Sequence, residues 1–384
     1  MRRLLLLVSA IMLVDTLFYA ALTPLLPHYA DTLGLSKTGA GVLTASFGVG
    51  TLAGSIPAGM LAARAGVKPV VLVGLSLLSA TSLAFGFAHS VLILDAARFC
   101  QGFGGACTWT GSLAWLVSRA PRERRGELIG SALAAGIAGA LIGPLVGGAA
   151  ASFGTRPVFS AVAAVGVVIA IAAALAPVGR PEAPQTIANL AAHFRHPRLL
   201  GGMWLVALPA LLFGLLSVLA PLRLHALGAG VVGISAVFLL SAGAESALSP
   251  VVGRLADRRG SRSLVRVAAL GSATVTLVPP LLHDRYALGA IVVVAGLAYG
   301  VFWIPAMTGL LEGAESVGLD ASFAFALMNL AWAAGQGVGS LGGGALGALA
   351  GDLAPYWGAA ALCLLTLGAV GLTRPAPHAY PETT

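Results

Sequence analysis

Charged residues are scarce in this chain. Asp, Glu, Lys and Arg together make up 9% of its 384 residues, against roughly 25% in an ordinary soluble domain. A soluble globule of this length needs polar residues to cover its surface, so a cytosolic enzyme, a secreted scaffold and a disordered chain are excluded. Lysine is scarcer still, with only Lys37 and Lys68. No G-x-x-x-x-G-K-[ST] segment occurs, which argues against ATP-driven work by this chain alone. Three cysteines, Cys100, Cys107 and Cys363, all lie inside apolar runs. They read as small buried hydrophobes, not as disulfide or metal partners. No H-E-x-x-H or paired-cysteine pattern is present, and the histidines fall in expected loops and tails. With no nucleophile–base pair either, neither an enzyme nor a cofactor or metal is expected.

What is present is apolar. The hydrophobic set makes up 58% of the chain, and the mean hydropathy is +0.93. The apolar runs are near 20 residues long, the length of a membrane-crossing helix, and not the short alternating segments of a β-barrel. The fold class expected is an all-α membrane protein with twelve transmembrane helices. Twelve spans of ~20 residues take roughly 240 residues and leave room only for short loops. The first span runs to about Leu26, too long and too lacking in a cleavage site for a secretory signal. The others are expected near 39–62, 68–88, 91–117, 128–151, 156–177, 199–222, 231–252, 263–282, 286–310, 320–349 and 354–373.

The formal charge is +8. In a soluble protein this would suggest nucleic acid. Here the cations gather in loops of one side, among them Arg2, Arg3, Arg64, Lys68, Arg119, Arg122, Arg124, Arg125, Arg254, Arg258, Arg259 and Arg262. The opposite loops hold only Lys37, Arg156, Arg223 and Arg285. By the positive-inside rule both termini face the cytoplasm, and the lipid bilayer rather than nucleic acid is the partner. The loop 311–320 departs from this, with Glu312, Glu315 and Asp320 and no cation, but acidic residues influence topology little.

The longest break, 178–198, contains Pro181 and Pro184 and then an amphipathic stretch. It divides the chain into a six-helix bundle over 1–177, a cytoplasmic linker over 178–198, a second bundle over 199–373, and a tail over 374–384. An internal repeat agrees with this division. Gly59-x-Leu61-Ala62-Ala63-Arg64-Ala65-Gly66-x-Lys68 parallels Gly253-x-Leu255-Ala256-Asp257-Arg258-Arg259-Gly260-x-Arg262, at an offset of 194. Gly139-x-x-x-Gly143-Pro144-Leu145-x-Gly147-Gly148 parallels Gly335-x-x-x-Gly339-Ser340-Leu341-x-Gly343-Gly344, at an offset of 196. Two six-span halves repeated in parallel and related by a pseudo-two-fold axis are characteristic of one large transporter architecture.

These residues resemble the major facilitator superfamily, and the resemblance covers the whole chain. The segment Gly253 to Arg262 looks like that family's inner-loop motif almost residue for residue; the copy at Gly59 to Lys68 has Ala63 where the family carries an acid. Arg98-Phe99-Cys100-Gln101-Gly102-Phe103-Gly104 is similar to its fourth-span pattern, and Gly139 to Gly148 to the fifth-span signature of its antiporters. Asp15 with Pro24-Leu25-Leu26-Pro27 resembles the twelve-span drug:proton antiporters. The resemblance implies alternating access by a monomer in a bacterial-type cell membrane. It assigns gating or conformational roles to Gly59, Arg64, Gly66, Gly139, Gly143, Pro144, Gly147, Gly148, Gly253, Asp257, Arg258, Gly260 and Arg262.

Three charges within spans stand out, Asp15, Glu245 and Arg98. Asp15 is near the centre of the first, where a charge costs ~2.5–3.5 kcal/mol on insertion scales. A group that changes protonation as its access alternates is what a proton-coupled carrier needs; the alternative is a structural acid bonded to a neighbouring helix. Glu245 shares one helical face with Ser241 and Ser249, either as a second proton site or as an interhelical strut. Arg98 shares a face with Gln101, Gly105, Thr108, Ser112 and Trp115. By resemblance it steers protonation of a nearby acid; otherwise it pairs locally with Asp95.

Aromatic and amide residues recur at matching depths: Tyr19, Gln101, Trp109, Tyr299, Trp303, Asn329, Trp332 and Gln336. Apolar walls with a few polar groups suit a small-molecule site, and aromatics with carboxylates suit a lipophilic cation. Ordinary helix packing is the other reading of each. The function expected is proton-coupled efflux of small apolar or cationic compounds. The alternative is transport of a metabolite such as a sugar on the same fold.

Overall fold

In the computed structural model, residues 1–120, 125–177, 195–318 and 321–372 are described, and no strand occurs among them. The helices are α1 (Arg2–Ala21), α2 (Leu26–Leu33), α3 (Lys37–Ala65), α4 (Val67–Phe87), α5 (Val91–Arg119), α6 (Arg125–Phe153), α7 (Thr155–Leu175), α8 (Pro197–Ala226), α9 (Val231–Arg259), α10 (Ser261–Thr276), α11 (Arg285–Gly300), α12 (Trp303–Glu315), α13 (Ala321–Ala350) and α14 (Leu353–Leu372). Among the described residues, ten helical segments are long and apolar enough to cross a membrane. Helices α5 and α13 are equally long and stand outside that set. The expected linker lies outside the described residues from 178 to 194.

Two expected spans are each broken in two. The first ends as α1 at Ala21, passes through a 3-10 turn at Thr23–Leu25 and resumes as α2. Pro24 and Pro27 supply no backbone N–H to a continuous helix. The tenth breaks at Val301 and Phe302, between α11 and α12. In an unbroken helix the Pro305 ring would strike the carbonyl of Val301, four residues earlier.

The inner motif is also not a loop. Residues 59–65 finish α3 and residues 253–259 finish α9, so the connection to the next helix is a single glycine. Hydropathy marks these segments as leaving the membrane, but Ala, Leu and Arg are strong helix formers and carry the helix onward. What stops it is Gly66 (φ 88°) and Gly260 (φ 78°). That left-handed region favours glycine, and each N–H still bonds back, to Ala62 and Ala256 at 3.0 and 2.9 Å.

The sequence repeat has matching contacts. Lys68 donates to the carbonyl of Ala176 at the end of α7 (3.1 Å). Arg262, at the equivalent position, donates to the carbonyl of Val370 near the end of α14. Both partners are displaced by the same 194 residues. Helix α6 packs along α1, and α13 packs along α8 in the same way. A β-carbon at Gly139, Gly143 or Gly147 would collide with backbone of Leu13, Leu17 or Ala21. One at Gly335, Gly339 or Gly343 would collide with Ala207, Leu211 or Leu215. The glycines bring backbones together, as in Gly-x-x-x-Gly helix pairs. Pro144 sits within an uninterrupted α6. Three glycines of this face, Gly139, Gly143 and Gly147, meet α1, and Gly148 reaches toward Ser235 of α9.

Candidate functional site

Helix α5 supplies most of the site. Its expected polar face is real: Arg98, Gln101, Thr108, Ser112 and Trp115 are each at most 1% exposed. Asp15, on α1, is 2% exposed and points at this face. The Trp109 indole N–H donates to Asp15 Oδ2 at 3.0 Å. The Thr108 hydroxyl lies 3.2 Å from Oδ1 and shares its one proton with the Gly105 carbonyl, at 2.9 Å. Gly105 leaves room for the acid, since a β-carbon there would touch both carboxylate oxygens at 3.5 Å.

Arg98 is gripped from several directions. Nη1 donates to Gln101 Oε1 at 2.6 Å, and Nη2 donates to the Tyr19 carbonyl at 2.9 Å. The guanidinium carbon lies 5.0 Å from the Tyr19 ring centre and 4.9 Å from that of Phe47, within cation–π range of both. Among the described residues no carboxylate comes within ion-pair distance of Arg98, so it does not pair with Asp95. Phe47 arrives there because α3 and α5 touch backbone to backbone: a β-carbon at Gly102 would collide with the Phe47 carbonyl. Trp332, far along the chain on α13, sets its ring edgewise on Tyr19 (5.5 Å) and Phe47 (6.1 Å). Asp15, Arg98, Gln101, Tyr19, Trp109 and Trp332 therefore form one cluster.

Glu245 builds a second, smaller cluster. Its carboxylate accepts a hydrogen bond from the Trp303 side chain. Its stem packs where Gly300 has no side chain, and a β-carbon there would lie 2.5 Å from Glu245 Cγ. Trp303 stacks on Phe213 at 6.1 Å, and Phe213 also meets Tyr299 edge-on at 5.4 Å. Tyr299 itself is fully buried, with its hydroxyl 2.8 Å from that of Thr276. The helix break at 301–302 separates Tyr299 from Trp303, so the two do not share one continuous helical face. Of the expected stripe on α9, Ser241 is buried against α11, and the Ser249 side chain lies outside the described residues.

The remaining expected residues are not drawn into either cluster. Gln336 is buried beside α8, and its carbonyl accepts from Ser340 at 2.7 Å. Asn329 is half-buried on α13. Gly59 has open space around it. The side chains of Arg64, Asp257 and Arg258, and the surroundings of Gly253, lie outside the described residues. Two participants carry no sequence signal. Phe47 and Phe213 are ordinary apolar residues of their helices, and only the folded arrangement sets them on Arg98 and Trp303.

The comparisons agree with this architecture. A family model described as Major Facilitator Superfamily matches residues 8–319. A chloramphenicol resistance protein of Streptomyces lividans is 31% identical over 359 residues, covering 90% of each chain. Multidrug resistance protein 2 of Bacillus subtilis is 30% identical over 166 residues, 42% of each chain. Among solved structures, a D-xylose–proton symporter superposes with a TM-score of 0.77 at 16% identity, covering 97% of this chain and 98% of that one.

Proposed function

The chain belongs to the Major Facilitator Superfamily, and on that premise we propose that it exports small apolar or cationic compounds in exchange for protons. In this reading it spans the bilayer of a bacterial cell membrane twelve times, as two six-helix bundles with a central cavity. Both termini are cytoplasmic and the protein works as a monomer. Asp15 is the main proton site, Arg98 its modulator and Glu245 a second acid.

The observation that carries the proposal is the Asp15 cluster. A carboxylate deep in α1 meets two donors, Trp109 and Thr108, and has an unpaired cation on the same face of α5. Trp109 and Thr108 support the ionised form, because a charged acceptor strengthens both bonds. Binding of a proton removes the charge and loosens both. A cationic or dipolar compound arriving at Tyr19, Trp109 and Trp332 then competes with the proton for the same carboxylate. That competition is the elementary requirement of antiport, since each ligand lowers occupancy by the other. The relatives named for chloramphenicol and multidrug resistance support a drug-like cargo over a metabolite. The likeness to a xylose symporter, at 16% identity, concerns the fold alone.

The test is proton movement in sealed proteoliposomes that hold a pH-sensitive dye. A pH gradient is imposed, and lipophilic cations, neutral antibiotics and labelled sugars are added in turn. The proposal expects a drug-like compound to discharge the gradient with the parent protein and not with Asp15→Asn. Equal flux of a labelled sugar through both proteins, with no proton movement, overturns it in favour of metabolite transport.

A further inference from the structure

The rim of the molecule away from residue 1 is held shut by contacts between the two sequence repeats. Helix α3 begins at this rim and α13 ends there. Backbones approach closely along that pair: a β-carbon at Gly41 would lie 2.6 Å from the Ser340 carbonyl, and one at Gly48 would lie 2.8 Å from that of Ala333. Gly344 would collide in the same way with the Lys37 carbonyl.

At the lip of this seam Lys37 Nζ lies 2.6 Å from Asp352 Oδ1. The other oxygen of Asp352 is 3.3 Å from Arg223 Nη1, at the end of α8. Arg223 is itself fixed, donating to the carbonyls of Pro280 and Leu282 at 2.9 and 2.8 Å. The two partners of Asp352 therefore differ in kind. Arg223 belongs to the same repeat and stays with Asp352 when the repeats part. Lys37 belongs to the other repeat and has to leave.

The residue types fit those two tasks. Asp352 is largely shielded at 11% exposed, whereas Lys37 is 40% exposed. An ammonium is compact and strongly hydrated, so it passes readily from a carboxylate to water; a guanidinium fork suits a lasting grip on a carboxylate and carbonyls. In a chain with two lysines among 22 basic residues, one of them stands here. A second contact between repeats, His225 Nε2 to Asp31 Oδ2 at 3.0 Å, is exposed on both sides and adds little.

We propose that Lys37 and Asp352 form a latch that closes this rim, with Asp352 and Arg223 as the fixed catch and Lys37 as the moving bolt. Release of Lys37 is then a step in opening the seam between α3 and α13. The proposal rests on the alternating-access reading and not on the identity of the proton site or cargo.

The test reads the seam directly. Thr44 is buried on the same face of α3 as Gly41 and Gly48, so a cysteine there meets a water-soluble thiol reagent only while the rim stands open. The labelling rate of Thr44→Cys is measured on purified full-length protein carrying Cys100→Ser; Cys107 and Cys363 are buried. Lys37→Met and Asp352→Asn are each expected to raise the rate roughly two- to fivefold, the range of a partly exposed ion pair. The double variant is expected to label no faster than either single one, because both remove the same contact. Unchanged rates in both single variants, or effects that multiply in the double, overturn the latch. The measurement uses neither substrate nor gradient, so a negative proteoliposome result leaves its outcome intact.

Discussion

Asp15 and Glu245 make an informative pair. Each is an acid within an apolar helix, and each accepts a hydrogen bond from a tryptophan indole on another helix. Their surroundings then diverge. Asp15 is almost fully buried, has a second donor in Thr108, and shares its cluster with a cation sandwiched between two rings. Glu245 is half-buried, packs on a glycine beside a helix break, and lies with Phe213 and Trp303. An indole meets the carboxylate in both clusters; the second donor and the nearby guanidinium belong to the first. Under the proposed function, coupling falls to the first cluster and the second acid has the lesser part.

The strongest way to break the comparison is to neutralise each acid in turn. Asp15→Asn is expected to abolish proton-coupled flux in proteoliposomes, while Glu245→Gln leaves a reduced but measurable flux. A reversed order would move the coupling site to the second cluster. Next in size is a stability effect that should be equal in the two repeats. Gly139→Leu and Gly335→Leu each force a side chain into a neighbouring backbone, and overpacking typically costs about 1–3 kcal/mol. Thermal unfolding in detergent should fall by similar amounts for the two variants.

A finer probe replaces the indoles. Trp109→Phe removes a donor to a charged acceptor, a contact worth about 1.5–3 kcal/mol. Proton-coupled flux is expected to drop about tenfold, since 1.36 kcal/mol is a factor of ten. Trp303→Phe should lower it less, and equal losses would erase the distinction between the clusters. The smallest expected effect is again a matched pair. Lys68→Met and Arg262→Met each free one terminal carbonyl, and each should lower stability by about 1 kcal/mol in the same unfolding assay.

Much of this architecture was legible in the sequence because a bilayer punishes deviation. Long apolar runs located the helices, and the cost of a buried charge singled out Asp15, Arg98 and Glu245. The glycine patterns recurred at offsets that the packing of α6 on α1 and of α13 on α8 explains. Boundaries were less legible where hydropathy and helix propensity disagree. Residues 253–259 look like a loop by charge yet continue α9, and only the φ of Gly260 ends it. The broken tenth span was hidden because its apolar run continues through a backbone break that Pro305 imposes.

Partnerships across the chain were the least legible. Trp109 stood out as an aromatic, but nothing local reveals that its N–H serves Asp15, 94 residues away. The Lys37–Asp352 pair spans 315 residues. Phe47 and Phe213 carry no periodic or charge signal at all. Such contacts depend on how helices are assembled, and spacing within one helix does not encode that.

The bonds from Lys68 to Ala176 and from Arg262 to Val370 bear on how the chain is made. Each ties the third expected span of a repeat to its sixth, so a repeat is fastened to its own end. Synthesis proceeds from the N-terminus, and the earlier repeat has all its fastening partners by Ala176, before Pro197 begins the later one. The earlier repeat can therefore make its own tie before the later one is synthesised. Two fragments produced as separate polypeptides, divided between those positions, should each retain these ties and recombine in the membrane.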